Sequence, residues 1–536
     1  MTSPVLQFPS PAGQILQTDE ARRATYRNPV IPGFFPDPSI VRVGSDYYLV
    51  NSTFQYFPGI IISHSRDLVH WRQIGHALTR SGDLDLSGYF DGCGVWAPDI
   101  SFHNGEFFIF YCLVQLSKDR SVNVRGNYMI RSRQILGPWS HPVQLISEGN
   151  DPSHFVDADG RHYLLYAAGN PLGRGTKIVP LTDDCSRTAG EPQWIDYGLE
   201  MKAPEGPHLF RRGGYYYHTM AAGSGFYEGH HQLIARSRSL LGPYELSPHN
   251  PFLAQFDLES PCQHQGHAKL VETPSGEWWT VYLLRRPMDG FSPLGRETGL
   301  DRVDWLDDGW PVVNGGHGPS DVHATPDPHP SEVSDPFSDH VNRDGFGPEW
   351  QFVRGRDPEA VKAGDRPGHL TLLTRSHHLT DVIQPSLILQ RERLHRFSAS
   401  CRMEFVSEGT EEAGLAAYYD SQSHLALSVS GSSWQTIRVK ECRGGASNVL
   451  VEIREKNAGP IELRMDVDGL RRAFFYRRPG GPWKLASRVA DASFLSDEGA
   501  AGWPFTGTMC GVFALDNGTG QRLSADFYDF TLHSQG

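Results

Sequence analysis

The sequence predicts an all-β protein: a five-bladed β-propeller followed by a lectin-like β-sandwich. Fifty-six glycines and thirty-eight prolines among 536 residues indicate many turns, and therefore many short strands. A second observation is a pattern that occurs five times, at intervals of roughly 50 to 60 residues. Short apolar runs after residue 337 indicate a further all-β unit.

The repeated pattern is a short strand that opens on polar residues and is followed by a Gly-containing turn and aromatic residues. Several copies continue with a second pair of strands, and about four strands per copy at this period are typical of a propeller. We therefore predict five blades within residues 27–312. The five opening segments are 37–41, 97–100, 151–155, 205–209 and 267–271.

The first strand of each blade lines the central channel of a propeller, so equivalent positions at its start converge near the axis. A purely structural repeat would tend to keep one residue type at these positions. Ionisable residues of different types at four of the five instead indicate a functional site. The five positions are Asp37, Ala97, Asp151, Glu205 and His267.

Three carboxyl groups in one cavity fit the cleavage of glycosidic bonds, in which one carboxylic acid protonates the leaving oxygen and one carboxylate activates water or attacks. A neighbouring carboxylate raises the pKa of the acid by like-charge repulsion. We predict Glu205 as the acid because its side chain is longer, Asp37 as the base and Asp151 as the tuning group. Blades one and four lie nearly opposite each other, which favours the separation of about 6.5–9.5 Å found in inverting enzymes.

Charge and composition restrict the partners. A formal net charge of −13 and a pI near 6.0 argue against nucleic acid or an anionic membrane, and are compatible with a neutral sugar. No run of about 18 apolar residues is present. The first 26 residues lack the apolar core of a signal peptide, so we expect a cytoplasmic protein, or a secreted one if a leader was removed. Seven dispersed cysteines without metal-ligand spacing predict reduced, mostly buried thiols.

The remaining chain divides by composition. Residues 1–26 are predicted to form an extended arm, and residues 313–336, rich in Gly, Pro, Asp and His, a linker. Residues 337–536 are predicted to form the sandwich. Its segment 503–507 is our candidate for a loop that reaches the active site, where Phe505 would close the pocket.

The motifs at residues 28–40, 95–98, 151–153, 203–207, 266–268 and 294–298 resemble those of glycoside hydrolase family 43. The resemblance covers residues 27–312, and the C-terminal part resembles the concanavalin A-like sandwich of the β-xylosidase branch. It implies an inverting mechanism with Asp37 as general base, Asp151 as pKa modulator and Glu205 as general acid.

The resemblance also implies substrate contacts. Arg296 would hydrogen-bond the sugar in the −1 subsite, and Phe34 and Trp96 would form its walls. His267 resembles a residue at the propeller centre that in many members faces Ca²⁺ through water. Both a structural Ca²⁺ and a plain hydrogen-bonded histidine remain open there, and no cofactor is expected for the chemistry itself.

The predicted function is an exo-acting hydrolase that releases a terminal pentose. The first candidate is β-D-xylosidase on xylo-oligosaccharides, and the alternative is α-L-arabinofuranosidase on arabinoxylo-oligosaccharides, or both activities. Asn150 and Trp96 depart from residues common in parts of the family and therefore bear on substrate preference. A non-catalytic carbohydrate-binding propeller is the alternative from another class. The sequence leaves open whether the protein is a homo-oligomer.

Overall fold

The predicted fold class is confirmed, because five four-stranded antiparallel sheets are followed by two large antiparallel sheets. In the part of the chain that the structure describes, no helix has the length and apolar character needed to cross a membrane. This computed structural model describes residues 24–117, 119, 121–170, 173–195, 204–223, 229–326, 345–364, 368–456 and 459–534.

The five blades follow one another along the chain, each with its strands in sequence order from the axis outwards. Blade one contains Ser39–Val43, Asp46–Asn51, Gly59–Ser65 and Arg72–Leu78. Blade two contains Gly94–His103, Glu106–Leu116, Asn123–Ser132 and Val143–Ile146. Blade three contains Asn150–Val156, His162–Asn170, Gly173–Pro180 and Gln193–Trp194. Blade four contains Glu205–Arg212, Tyr215–Ala222, His231–Ser237 and Glu245–Leu246, and blade five contains Gln263–Glu272, Trp278–Arg285, Glu297–Trp305 and Pro311–Val313.

The second strands of the blades are nearly continuous apolar runs, because neighbouring blades cover both of their faces. Eight of the eleven residues of Glu106–Leu116 and seven of the eight residues of Trp278–Arg285 are buried. Full burial of one such apolar side chain contributes about 1.5–3 kcal/mol. Trp139 and Tyr244, which follow the third strands of blades two and four, are buried in the cores that those blades share with their neighbours.

The sandwich consists of two sheets around a core of alternating inward residues. One sheet has the order Ala446–Glu455, Gln435–Arg443, Ser423–Ser430, Glu412–Asp420, Met509–Leu515, Leu387–Arg391, Gln351–Val353 and Tyr56–Phe57. The other has the order Val361–Ala363, His369–Leu373, Ser524–Ser534, Arg396–Glu404, Ile461–Asp468, Arg471–Arg477 and Lys484–Val489.

One strand of the sandwich comes from the propeller. Tyr56–Phe57, between the second and third strands of blade one, pairs with Gln351–Val353 at the edge of the larger sheet. A buried ion pair, Arg285 with Asp497 at 2.8 Å, also joins the two units. The units therefore share backbone pairing and buried charge, which holds the sandwich against the pocket end of the propeller.

Strand pairing joins residues just outside the two ends of the predicted propeller range. Thr25–Arg27 pairs with Val322–Ala324, and Asn314–Gly316 forms a short 3₁₀ turn. The first part of the predicted linker is thus packed against the propeller. Residues 1–23 of the predicted arm and 327–336 of the predicted linker lie outside the described residues.

Candidate active site

Each inner strand is preceded or interrupted, at the position nearest the axis, by a residue in the left-handed backbone region. In blades two to five this residue lies in a β-bulge, where the register with the second strand shifts. A bulge re-aims side chains out of the sheet and is common beside active sites. The five residues are Asp37 (φ 51°), Ala97 (φ 38°), Asp151 (φ 54°), Gly206 (φ 56°) and His267 (φ 51°).

In blade four the structure corrects the prediction that Glu205 occupies the position equivalent to Asp37 and Asp151. The residue equivalent to Asp151 is Gly206, and Glu205 pairs with Ala221 before the bulge, as Asn150 pairs with Ala167. The sequence carried a signal for this offset, since Pro follows the left-handed residue in blades one to four, and that Pro is Pro207 in blade four. Glu205 therefore enters the pocket from a different backbone position than Asp37 and Asp151.

The bulges surround a pocket of about 660 Å³ at one end of the axis. This volume lies in the usual range of about 300–1,000 Å³ for small-molecule sites. Seven of the eight residues predicted from the sequence line this pocket: Asp37, Trp96, Asp151, Glu205, His267, Arg296 and Phe505.

Asp37 is held at both carboxylate oxygens. Arg296 Nη1 donates to Oδ1 at 2.7 Å, and the Ser52 hydroxyl donates to Oδ2 at 2.7 Å. The same Ser52 oxygen accepts a hydrogen bond from the backbone N–H of Ala97. The guanidinium provides a counter-ion, and Ser52 ties the orientation of the carboxylate to blade two. Sequence reasoning missed Ser52, which carries no motif of its own.

Asp151 is connected to the backbone that carries Glu205. Its Oδ2 accepts a hydrogen bond of 3.0 Å from the N–H of Gly206. A Cβ on Gly206 would come within 2.9 Å of Nδ1 of His267, so the imidazole packs directly on this glycine. Asp151 and His267 therefore fix the turn from which the Glu205 side chain projects.

A histidine that the sequence analysis did not single out lies beside Glu205. His230 Nε2 is 3.8 Å from Glu205 Oε1, and the other ring nitrogen is 3.3 Å from the carbonyl oxygen of His264. Burial lowers the pKa of His230 to about 3, so the ring is neutral. If Nδ1 donates to His264, Nε2 presents a lone pair towards Glu205, and a protonated carboxyl is the form that can donate to it. No local pattern marks His230, because the loop and the fold bring it to the site.

Four aromatic side chains form one wall of the pocket. Phe54 and Phe505 are stacked with centroids 5.7 Å apart, and Trp96 meets Phe505 edge-on at 4.8 Å. Trp503 also stacks on Phe505, with centroids 5.9 Å apart. The prediction for Phe34 is wrong in position: its ring is fully buried and contacts Phe54 at 5.9 Å, so it supports the wall from behind.

The sandwich contributes Trp503 and Phe505 through a loop that interlocks with the propeller. Arg296 Nη2 donates to the carbonyl oxygen of Phe505 at 3.1 Å, and Trp503 Nε1 donates to that of Leu116 at 3.0 Å. A Cβ on Gly295 would lie 2.1 Å from the Thr506 carbonyl oxygen, so only glycine permits this approach. Arg296 thus contacts both Asp37 and the loop that closes the pocket.

Another part of the pocket lining is polar. Arg125 Nη1 donates to Oδ1 of Asn150 at 2.9 Å, and Arg125 Nε donates to Oδ1 of Asn123 at 2.9 Å. All three residues line the pocket. Asn150, which the sequence marked as a departure, is thus part of a polar group that includes an arginine that sequence reasoning missed.

Beneath the pocket, a second polar layer lies two residues further along each inner strand. Asp99 Oδ1 accepts hydrogen bonds from the Lys269 ammonium and from the Ser39 hydroxyl, and its Oδ2 accepts one from the N–H of His154. Burial by itself would raise the pKa of Asp99, but Lys269 and the amide of His154 hold it below its usual value. His208 lies 3.6 Å from the same carboxylate.

This buried layer does not fit a calcium ion. Ca²⁺ takes six to eight oxygen ligands, whereas the oxygens gathered here, on Ser39, Asp99 and the Ile100 carbonyl, all bind the ammonium of Lys269. His267 offers an imidazole nitrogen and no oxygen. The expectation of a Ca²⁺ that faces His267 through water stays a prediction.

Comparisons with known proteins agree with this geometry. The family model "Glycosyl hydrolases family 43" matches residues 26–311, and "Beta xylosidase C-terminal Concanavalin A-like domain" matches residues 338–533. The chain is 34% identical to a xylan 1,3-beta-xylosidase of Vibrio sp, over 94% of this chain and 98% of the relative. It is also 34% identical to xylosidase/arabinosidase 43B of Humicola insolens, over 94% and 97%. The crystal structure of a GH43 protein from Bacillus licheniformis superposes with a TM-score of 0.88 at 44% identity, covering 96% of this chain and 100% of that one.

Proposed function

The chain belongs to glycoside hydrolase family 43, and from this premise we propose that it is an exo-acting, inverting β-D-xylosidase that removes terminal xylose from xylan-derived oligosaccharides. The observation that carries the proposal is the convergence of Asp37, Asp151 and Glu205 in one pocket that the sandwich loop closes on one side. A pure binding module would have no need for three carboxyl groups at the same point.

In the proposed reaction, Asp37 removes a proton from a water molecule that attacks the anomeric carbon of the terminal sugar. Glu205 delivers its proton to the glycosidic oxygen as the bond to the leaving chain breaks. Arg296 keeps Asp37 oriented, and Asp151 holds Gly206 and with it the turn that carries Glu205. Net inversion follows because water and leaving group occupy opposite faces of the sugar ring.

The floor of the pocket and its aromatic wall support exo action. The axis beneath the carboxylates is filled by the buried layer around Lys269 and Asp99. The aromatic wall with Phe505 limits the space beside the terminal sugar and offers it a flat apolar face. A polysaccharide could not thread through such a pocket, whereas the end of an oligosaccharide could enter it.

The second candidate activity is α-L-arabinofuranosidase, alone or together with xylosidase activity. The observation that favours it is the relative named xylosidase/arabinosidase, together with a polar pocket side formed by Arg125 and Asn150. The two pentoses present similar hydroxyl groups, so a few contacts on this side would decide between them.

The test is kcat/KM on 4-nitrophenyl β-D-xylopyranoside and on the α-L-arabinofuranoside, with Glu205→Gln as the paired variant. We expect a xyloside preference above about tenfold, and a loss of about 10²–10⁴ in kcat in Glu205→Gln because the general acid is removed. A ratio near or below one would assign arabinofuranosidase activity. No turnover by the wild type, with unchanged sugar affinity in the variant, would support the binding module instead. Proton NMR of the first-formed anomer would test inversion.

A further inference from the structure

A second group of ligand-type side chains lies within blade three and outside the pocket. His154 belongs to the inner strand, His162 begins the second strand, and Cys185 lies in the turn after the third. His154 Nε2 is 2.9 Å from His162 Nδ1. Cys185 Sγ is 3.3 Å from that Nδ1 and 3.8 Å from His154 Nε2. All three residues are buried, and none lines the active-site pocket.

We propose that His154, His162 and Cys185 bind one divalent transition-metal ion, with Zn²⁺ as the preferred occupant. Tetrahedral Zn²⁺ has Zn–N distances of about 2.0–2.1 Å and Zn–S of about 2.3 Å, which places neighbouring ligand atoms about 3.3–3.6 Å apart. The three separations of 2.9, 3.3 and 3.8 Å bracket these values. Shifts of a few tenths of an ångström would bring all three atoms onto one ion.

The surroundings orient the ligands. Ser101 Oγ is 2.6 Å from His154 Nδ1 and can accept its proton, which leaves the Nε2 lone pair directed at the cluster. Metal-binding histidines typically have such a partner on their second nitrogen. Phe110 stacks on the His154 ring at 4.8 Å, and His103 meets the His162 ring edge-on at 5.1 Å. Both imidazoles are therefore held before a metal enters.

Cys185 is placed by an uncommon backbone conformation. Its φ of 55° lies in the left-handed region, which is unfavourable for a residue with a Cβ. The turn is fixed by the bond from the Cys185 N–H to the Thr182 carbonyl oxygen at 2.8 Å. The thiol is thereby brought to the two imidazoles, and on binding it would lose its proton to solvent and become a thiolate ligand.

Two imidazoles and one thiolate select zinc or cobalt over calcium or magnesium, which prefer oxygen ligands. The fourth position is assigned to water on the side of the half-buried His103. The ion would join the inner strand, the second strand and the turn after the third strand of blade three. Its role would be to stabilise this blade, independent of sugar cleavage.

The experiment uses the tag-free full chain, stripped with a chelator and titrated with Co²⁺. Expected are a near-ultraviolet band from thiolate-to-cobalt charge transfer that saturates at one equivalent, its displacement by Zn²⁺, and a Zn²⁺-dependent rise in Tm. Cys185→Ser should abolish the band, and His162→Gln should weaken Co²⁺ binding at least tenfold. Cys401→Ser is the matched control, because Cys401 is equally buried, in the sandwich core.

Two results would overturn the proposal. One is the absence of a charge-transfer band in the wild type. The other is a band, stoichiometry and Tm shift that persist in both Cys185→Ser and His162→Gln, which would place the metal on other histidines of the chain. Hydrolysis of the 4-nitrophenyl glycoside should remain at the wild-type rate in Cys185→Ser, because the cluster does not touch the pocket.

Discussion

The inner strands of the propeller carry two polar layers that lie two residues apart along each strand. Both layers contain aspartates, but those of one layer line the pocket and that of the other is buried. In the pocket layer, Asp37 and Asp151 have left-handed backbone conformations and line the cavity. In the buried layer, Asp99 is sealed from solvent and neutralised by the ammonium of Lys269.

The difference shows what makes a carboxylate available for catalysis in this fold. Both layers have a cationic partner, Arg296 for Asp37 and Lys269 for Asp99. Only the pocket layer adds open space on the reacting side. Asp37 lies just before its strand, and in blades two to five the bulges turn side chains out of the sheet. We therefore expect changes in the pocket layer to reduce the rate and changes in the buried layer to reduce the stability.

The largest effect is expected for Asp37→Asn, which removes the general base and preserves the shape. The predicted loss in kcat is about 10²–10⁴, with a Tm close to that of the wild type. Steady-state kinetics and thermal melting on the same preparation measure both. A lower Tm together with an unchanged kcat of the folded enzyme would contradict the expectation that changes in the pocket layer reduce the rate rather than the stability.

The corresponding change in the buried layer is Lys269→Met, which leaves Asp99 without its counter-ion. Removing one partner of a buried pair costs about 3–5 kcal/mol of unfolding free energy, while kcat per folded molecule should stay near the wild-type value. Urea denaturation measures the loss. Lys484→Met is the control, since its ion pair with Glu455 is exposed and contributes at most about 1 kcal/mol.

The pH dependence of stability should sharpen the comparison. The folded-state pKa of Asp99 is below its unfolded value of about 3.9. Its pairing therefore contributes stability above about pH 4, and this contribution is lost as pH falls through the folded-state pKa. The stability advantage of wild type over Asp99→Asn should shrink below pH 4, by up to about 1.4 kcal/mol per pH unit. A difference that stays constant down to pH 2 would contradict the pairing.

A smaller effect is expected for His230→Leu. The variant removes the neutral imidazole whose Nε2 lies 3.8 Å from Oε1 of Glu205. If this contact shortens to a hydrogen bond when substrate binds, its loss costs about 0.5–1.5 kcal/mol. We expect kcat to fall about two- to tenfold and the basic limb of the kcat/KM profile to move to lower pH, because the protonated acid loses support. A rate loss with an unchanged profile would assign His230 a packing role only.

The smallest effect is expected from chelation. Lys269 occupies the oxygens that a cation on the axis would use, so EDTA followed by added Ca²⁺ should leave kcat within error. Activity that disappears with EDTA and returns only with Ca²⁺ would instead support the Ca²⁺ expected at His267.

Much of the site could be read from the sequence because its signals are local. The turn and aromatic pattern repeats in every blade, and the bulge residues sit beside it in the chain. Phe34 could not be placed, since the irregular segment before blade one has no period that fixes which way a ring points. His230 comes from a loop of blade four, and the group formed by His154, His162 and Cys185 has no motif spacing. These arise only when tertiary packing brings distant residues together.

The strand Tyr56–Phe57 determines whether the propeller and the sandwich can be produced as separate domains. It belongs to blade one by sequence, yet its hydrogen-bonding partner is Gln351–Val353. Cutting the chain after the last blade would expose an unpaired strand edge, together with Arg285 stripped of Asp497. We therefore expect the propeller not to fold stably without the sandwich. Chimaeras with relatives should fold when the propeller and the sandwich are exchanged together. They should aggregate when only one of the two domains is exchanged.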